Sequence, residues 1–247
     1  MAESKLFVID KKQQIRAMFN RISLRYDFLN HFLSLGIDRY WRSQSVNHLR
    51  EIKPSSVLDI ATGTADFAIC AERRLHPDKI TGIDISEKML ALGRNKILKK
   101  NVSDCITLMP ADSENLPFVD NTFDAITVGF GVRNFENLQA GLNEMVRVLK
   151  PGGRAVILEF SKPDKTPIKQ LYAFYFKYLL PFFGRIISHD KIAYSYLHDS
   201  VIAFPEKDEF LKLMILAGFS ETHCKPLSFG IASIYVGDKH RTIVDSD

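Results

Sequence analysis

The chain has 247 residues, of which 46% are hydrophobic, enough for one α/β domain with a full core. Its 33 basic and 29 acidic residues leave a net charge of +4, with no Lys/Arg block of the kind that tracks phosphates, so nucleic acid is not an expected partner. Three scattered cysteines without CxxC spacing read as reduced thiols of a cytosolic protein and predict no metal site. The charged start, Glu3 and Lys5, and the lack of an 18-residue apolar run predict neither a signal segment nor a membrane span.

In chain order, residues 13–50 read as helical. Ile15, Met18, Phe19, Ile22, Tyr26, Leu29 and Leu33 fall at helical spacing. Gly36 ends that helix, and Trp41, Val46 and Leu49 mark a second one running to Pro54. Alternating units follow. Val57–Ile60 is a strand, 66–75 a helix, and Ile80–Ile85 a strand, with Ser86 as the N-cap of the next helix. Ile106–Met109 and Phe123–Val128 are further strands, the latter preceded by a turn at Asp120-Asn121. A helix over 137–149 stops at Pro151-Gly152-Gly153, and Arg154–Phe160 is a fifth strand. About 45 residues then pass before the next clear helix, Lys207–Ala217, which ends at Gly218. Glu221–Lys225 and Ile231–Val236 are strands joined by a short connection and are therefore antiparallel. The pattern predicts a doubly wound, mostly parallel seven-stranded sheet with an antiparallel C-terminal strand. Residues 1–247 form a single domain in this reading. Its parts are a helical lid (13–50), a cofactor-binding core (55–160), a helical, substrate- or membrane-facing insertion (161–206), and a C-terminal helix and strands (207–238).

Strand, tight turn, helix, strand, acid is the layout of a nucleoside-cofactor site. The first turn, Ala61-Thr62-Gly63-Thr64-Ala65, has one glycine where a pyrophosphate wants G-x-G-x-x-G. It suits a ligand without phosphates, such as S-adenosylmethionine. Asp59 can face the ligand's positive end, and Gly63 and Thr64 its carboxylate. Asp84 can accept both ribose hydroxyls. Asp112 can accept from the adenine amino group, and Ser113 can offer its backbone N–H to a ring nitrogen. Each acid alone reads as a turn or helix-start residue. Three acids at three successive strand ends place a ligand at the carboxyl edge of the sheet.

Val57–Asp66, Leu116-Pro117-Phe118 through Asp124, and Arg147–Gly153 resemble S-adenosylmethionine-dependent methyltransferases of class I. Tyr26–Asn30 with Ser34, Gly36 and Trp41, Phe130–Asn134, and Leu158–Pro163 are more specific. They resemble the C-methyltransferases of ubiquinone and menaquinone biosynthesis, over about Ile15 to Gly237. The chain departs from that family at Thr62-Gly63, Ala65, Phe28, Leu29 and Asp112, and has Gly129 where many relatives carry serine. The resemblance implies cofactor contacts at Thr64, Asp84, Asp112, Ser113 and Gly129, the last through backbone alone. It also implies methylation of a ring carbon of a polyprenylated quinol, with a lean to demethylmenaquinol. The alternatives are the ubiquinone-pathway quinol, another lipid or small phenol, or a non-catalytic binding module.

An aromatic carbon is a weak nucleophile until the neighbouring hydroxyl ionises, so a cation, donor or base is needed beside it. Arg133 and Asn134 stand just past the fourth strand as candidates; the plainer reading of Arg133 is a salt bridge with Glu136 or Glu159. Tyr26 and Asp27 are catalytic candidates on the lid, although Tyr26 also fits its apolar stripe. His31 and His198 read as structural or surface residues. Leu171–Phe183 is the most aromatic stretch, punctuated by Lys169, Lys177 and Arg185. Residues 168–187 suit an isoprenoid channel, a membrane surface, a homodimer interface or ordinary core. The expected location is cytoplasmic, peripheral to the membrane's inner face.

Overall fold

The computed structural model describes residues 11–34, 36–174 and 191–241, with the side chains of 24–33, 173 and 191–195 excepted. Two helices come first, α1 (Lys11–Leu33) and α2 (Ile37–Asn47), separated at Gly36, whose φ of 78° is open to glycine at little cost. The alternating body is β1 (Ser56–Ile60), α3 (Asp66–Leu75), β2 (Lys79–Asp84), α4 (Glu87–Lys99), β3 (Ile106–Pro110), β4 (Phe123–Gly129), α5 (Leu138–Val148) and β5 (Leu149–Phe160). Among the described residues, the insertion then contributes α6 (Ile168–Phe174) and α7 (Lys191–Ala203). The chain closes with α8 (Asp208–Ala217), β6 (Phe219–Leu227) and β7 (Ala232–Lys239).

The seven strands form one sheet in the order β3-β2-β1-β4-β5-β7-β6. β1 through β5 pair in parallel, and β7 lies antiparallel to both β5 and β6. Alternate strand residues face opposite sides and build two cores. Val57, Ile80, Val156 and Ile234 pack with Trp41, Phe67 and Leu90 of α2–α4. Leu58, Ile83, Ile126, Ile157 and Tyr235 pack with Leu142 and Met145 of α5 and Phe210 and Met214 of α8. α1 packs on α4, which carries its N-terminal half across the carboxyl edge of the sheet. Ser86 caps α4 as its sequence predicts, its hydroxyl accepting the Met89 N–H at 3.3 Å.

One expectation is corrected. β5 starts at Leu149, five residues earlier than the sequence reading, because Leu149 pairs with Phe123 before the chain deviates through Pro151-Gly152-Gly153 and rejoins β4 at Arg154. Gly152 has φ 78°, and a Cβ on Gly153 would stand 2.9 Å from two carbonyl oxygens, so the glycines permit the deviation inside the strand. The insertion is helical as expected, and its α7, thirteen residues long, begins well before Lys207. Of the aromatic stretch Leu171–Phe183, residues 175–183 lie outside the described residues. On α6, Leu171 and Phe174 are exposed.

Candidate active site

The turn after β1 alternates in hand. Ala61, Gly63 and Ala65 have φ of 52°, 56° and 67°, so two alanines hold a conformation that L-residues adopt at a cost of about 1 kcal/mol each. Hydrogen bonds fix it. Thr62 N–H donates to Ile83 O at 2.9 Å, and Gly63 N–H to Asp84 Oδ2 at 2.9 Å. Asp84 Oδ1 accepts the Ser86 N–H at 2.8 Å. Burial pushes the Asp84 carboxyl up to about 6, against backbone N–H groups that favour its ionised form. The carboxyl lines a cleft.

That cleft is a narrow cavity of about 70 Å³ that opens to solvent. Gly63, Asp84, Asp112 and Ser113 line one end, and Gly129, Phe130, Gly131 and Asn134 the other. Lys12, Ile15 and Phe19 of α1 lie over it. Lys12 donates to Asp112 Oδ2 at 2.8 Å and pairs with Glu114 at 3.0 Å, tying the lid to the loop after β3. Burial alone would lower the ammonium's pKa, but those two carboxylates outweigh it and raise it. A Cβ on Gly129 would stand 2.7 Å from Phe67, and one on Gly131 2.6 Å from Ala61, so the backbone itself forms this wall.

Six of the eleven predicted site residues therefore meet in one cleft on the described side chains: Gly63, Asp84, Asp112, Ser113, Gly129 and Asn134. Asp59 and Thr64 are not among the lining residues. Asp59 is fully buried, accepting from Thr62 at 2.5 Å and Thr127 at 2.7 Å, and burial pushes its carboxyl up to about 6. Thr64 is buried and accepts from Lys96 at 3.0 Å, while Lys96 also pairs with Asp66 at 2.6 Å. Tyr26 and Asp27 lie on α1, and their side chains fall outside the described residues, as does that of His31. His198 meets its neighbour Asp199 at 3.1 Å.

Arg133 makes the ion pair that its plainer reading foresees. It forms an ion pair with Glu159 at 2.7 Å and donates to Phe130 O at 2.5 Å, with both charged side chains buried. Burial raises the Glu159 pKa, and the neighbouring guanidinium opposes the rise. The pair grips the backbone of Phe130, which has φ 58° and whose ring stacks on Phe160 at 4.4 Å. A bulky residue with left-handed backbone stores about 1–3 kcal/mol of strain, and such strain concentrates at binding sites. Asn134 sits one turn on, at the cleft, its Oδ1 accepting the Tyr196 hydroxyl of α7 at 3.0 Å.

Sequence reading missed Lys12, Phe130, Glu114 and Tyr196. Lys12 and Tyr196 carry no local signal, because each meets the site across a long sequence separation. Phe130 was inside a recognised segment but gave no hint of its backbone.

The chemistry of the donor set fits S-adenosylmethionine. An acid held by backbone N–H groups stands at the end of β2, a second acid and a serine N–H lie past β3, and a bare-backbone wall follows β4. No group of three or more His, Cys, Asp or Glu that could hold a metal occurs among the described residues.

Comparison with known proteins agrees with this arrangement. The model of the ubiE/COQ5 methyltransferase family matches residues 8–239. A demethylmenaquinone methyltransferase of Bacteroides fragilis is 46% identical over 93% of this chain and 94% of its own length. A ubiquinone/menaquinone biosynthesis C-methyltransferase, UbiE, of Geobacter sulfurreducens is 48% identical over 93% and 90%. Among solved structures, a possible histamine N-methyltransferase of Thermotoga maritima superposes with a TM-score of 0.62 at 20% identity, over 90% of this chain and 99% of that one. The cyclase SpnF superposes with a TM-score of 0.67 at 16% identity, over 94% and 97%. The two structures share the fold alone.

Proposed function

The chain belongs to the ubiE/COQ5 methyltransferase family of S-adenosylmethionine-dependent enzymes, and from that premise we propose that it methylates a ring carbon of demethylmenaquinol to give menaquinol. The observation that carries this reading is a single cleft with acids and a glycine turn at one end and a strained aromatic turn with a hydrogen-bonding amide at the other. Demethylmenaquinone methyltransferases at 44–46% identity support the menaquinone branch.

When bound, S-adenosylmethionine supplies an electrophilic methyl on a positively charged sulfur, a leaving group that needs no metal to activate it. Asp84 would accept the ribose hydroxyls, Asp112 and Ser113 would engage the adenine, and Gly63 and Gly129 would offer backbone. Asp59 and Thr64 would act from beneath, holding the turn. Across the cleft Asn134 donates to the quinol oxygen as it ionises, enriching the adjacent carbon. The methyl would pass to that carbon, its old bonding pair staying on sulfur, and the displaced ring proton would pass to the base proposed on the lid or to water, restoring the aromatic ring. Ile15, Phe19, Phe130 and Phe135 keep water from the reacting atoms. Tyr26 and Asp27 remain the proposed lid contributors of a donor and a base. Arg133 acts through the Phe130 backbone it grips.

A polyprenyl quinol is nearly insoluble, so we place the enzyme at the cytoplasmic face of a membrane, contacting it through 168–187. No helix among the described residues is long and apolar enough to cross one. The exposed Leu171 and Phe174 and the nearby Lys165 and Lys169 suit a lipid surface. Co-sedimentation with anionic vesicles checks this; protein left in the supernatant as a dimer would assign the segment to self-association instead.

Incubation with labelled methyl donor and a panel of reduced quinols and phenols tests the function. Label on the ring carbon of a short-tailed menaquinol is expected. Label confined to oxygen, or to a non-quinone, overturns the proposal. Complementation of strains blocked in either quinone pathway separates the menaquinone from the ubiquinone branch.

A further inference from the structure

Asn134 has an amide whose orientation can be derived. Its Nδ2 lies 3.5 Å from Phe130 O, an atom that only accepts. Turning the amide over would set two carbonyl oxygens against each other, so the NH₂ group belongs on the Phe130 side. The Oδ1 then faces Tyr196, and the phenol, 3.0 Å away, must donate. The contact to Phe130 O is at the limit of a hydrogen bond and holds the amide poorly by itself. The phenol supplies the firmer restraint.

Tyr196 comes from α7, which packs on the short helical turn Val132–Asn134 that carries the amide. The ring is half-buried, and burial raises the hydroxyl's pKa, which keeps it protonated and able to donate. Phe130 O is itself fixed from the other side, by Arg133 at 2.5 Å, and Arg133 by Glu159 at 2.7 Å. A chain of contacts thus runs from Glu159 through Arg133 and Phe130 to Asn134, and Tyr196 closes its far end.

We propose that Tyr196 is a positioning residue for methyl transfer, holding the Asn134 amide so that an N–H faces the acceptor's oxygen in the cleft. This inference rests on the quinol-methylating reading above. It also gives the insertion a task at the reacting atoms: α7 brings in the residue that aims the donor. An oxyanion donor held in place is worth more than one that must reorganise as charge develops.

The experiment compares steady-state kinetics of the wild type, Y196F, N134A and the double variant, with S-adenosylmethionine and a short-tailed demethylmenaquinol. Removing one oxyanion donor costs about a hundredfold in kcat, so N134A sets that scale. Y196F, which keeps the ring, is expected to lose about tenfold in kcat, with KM for S-adenosylmethionine within about twofold of wild type. The double variant is expected to match N134A, because the phenol has no amide left to hold. Wild-type kcat in Y196F, or losses that multiply in the double variant, overturns the proposal. A rise in KM without a fall in kcat does so too. Thermal melting checks folding; if Y196F does not fold, Y196H replaces it, with the same non-additivity expected. Absence of quinol methylation in the wild type would overturn the functional reading itself, an outcome distinct from active wild type with an unaffected Y196F.

Discussion

The cleft has a cofactor end under β1–β3 and an acceptor end past β4, and the two are built by different means. At the cofactor end the walls are backbone: the turn 61–65, the N–H groups of Gly63 and Ser86 on Asp84, and bare glycines at 129 and 131 on the border. The backbone contact that sets Asp84, from Gly63, spans 21 residues, although Thr127 reaches Asp59 from 68 residues away. At the acceptor end the wall is a side-chain network across 26 residues from Arg133 to Glu159 and 62 from Asn134 to Tyr196. Backbone cradles tolerate side-chain change and serve a ligand that many enzymes share. A side-chain network can be rewired, which suits the end where substrates differ.

The largest effect that separates the two ends is expected from R133A. It leaves Glu159 as an unpaired, fully buried carboxylate, and breaking a buried pair costs about 3–5 kcal/mol. For a chain of this size that lowers Tm by about 10 °C. Calorimetry in the presence of S-adenosylmethionine should show affinity within about threefold once the protein is folded. Unchanged Tm with a collapse in turnover would return Arg133 to direct contact with the acceptor.

A smaller effect tests the cofactor end from below. Asp59 has no cation in hydrogen-bonding contact, and its carboxyl is pushed up to about 6 from an unfolded value of 3.8. The folded state therefore binds a proton more tightly, so ionisation destabilises it. The stabilising contribution is full below about pH 4 and is lost as pH rises through 6. Relative to D59N, which carries no charge, the wild type should lose about 3 kcal/mol across that window, read from denaturant unfolding at several pH values. A flat difference between the two proteins would mean that Thr62 and Thr127 hold Asp59 ionised throughout.

D84A comes next and acts on binding. Hydrogen bonds to a charged group contribute about 1.5–3 kcal/mol, so affinity for S-adenosylmethionine should fall about thirtyfold by calorimetry. The quinol KM should stay put, since Asn134 and Phe130 are untouched. Equal losses for both substrates would show the two ends to be one cooperative site.

The contrast between the ends also explains what sequence could disclose. Strands β1–β4 and helices α3–α5 were legible because each is a local pattern of apolar period and turn chemistry, and Ser86 and Gly36 punctuate the chain as their types predict. The carboxyl-edge position of Asp84 and Asp112 followed from strand order. Arg133 was singled out from its place after β4, with Glu136 and Glu159 as its possible partners; only the fold shows that the partner is Glu159, buried in β5. The insertion was expected to be helical, but α7 was not singled out within it, because its pattern is weakly amphipathic and follows an aromatic run that dominates the reading. Tyr196 escaped with α7.

The smallest predicted effect concerns the join between the ends, where α1 crosses the cleft. Lys12 spans to Asp112 and Glu114 as a partly exposed bridge, and such pairs contribute up to about 1 kcal/mol. It occupies the carboxylate proposed to meet the adenine, so it acts as a latch on the lid more than as a ligand contact. K12M should then raise the dissociation rate of S-adenosylmethionine about threefold, with affinity changing less, because the open lid speeds entry as well. Raising salt from about 0.05 M to about 0.5 M should speed dissociation in the wild type and not in K12M, since the bridge is open to screening. If K12M instead weakens binding at an unchanged dissociation rate, Lys12 helps recruit the ligand, and α1 belongs to the cofactor end as a wall and not to the boundary as a door.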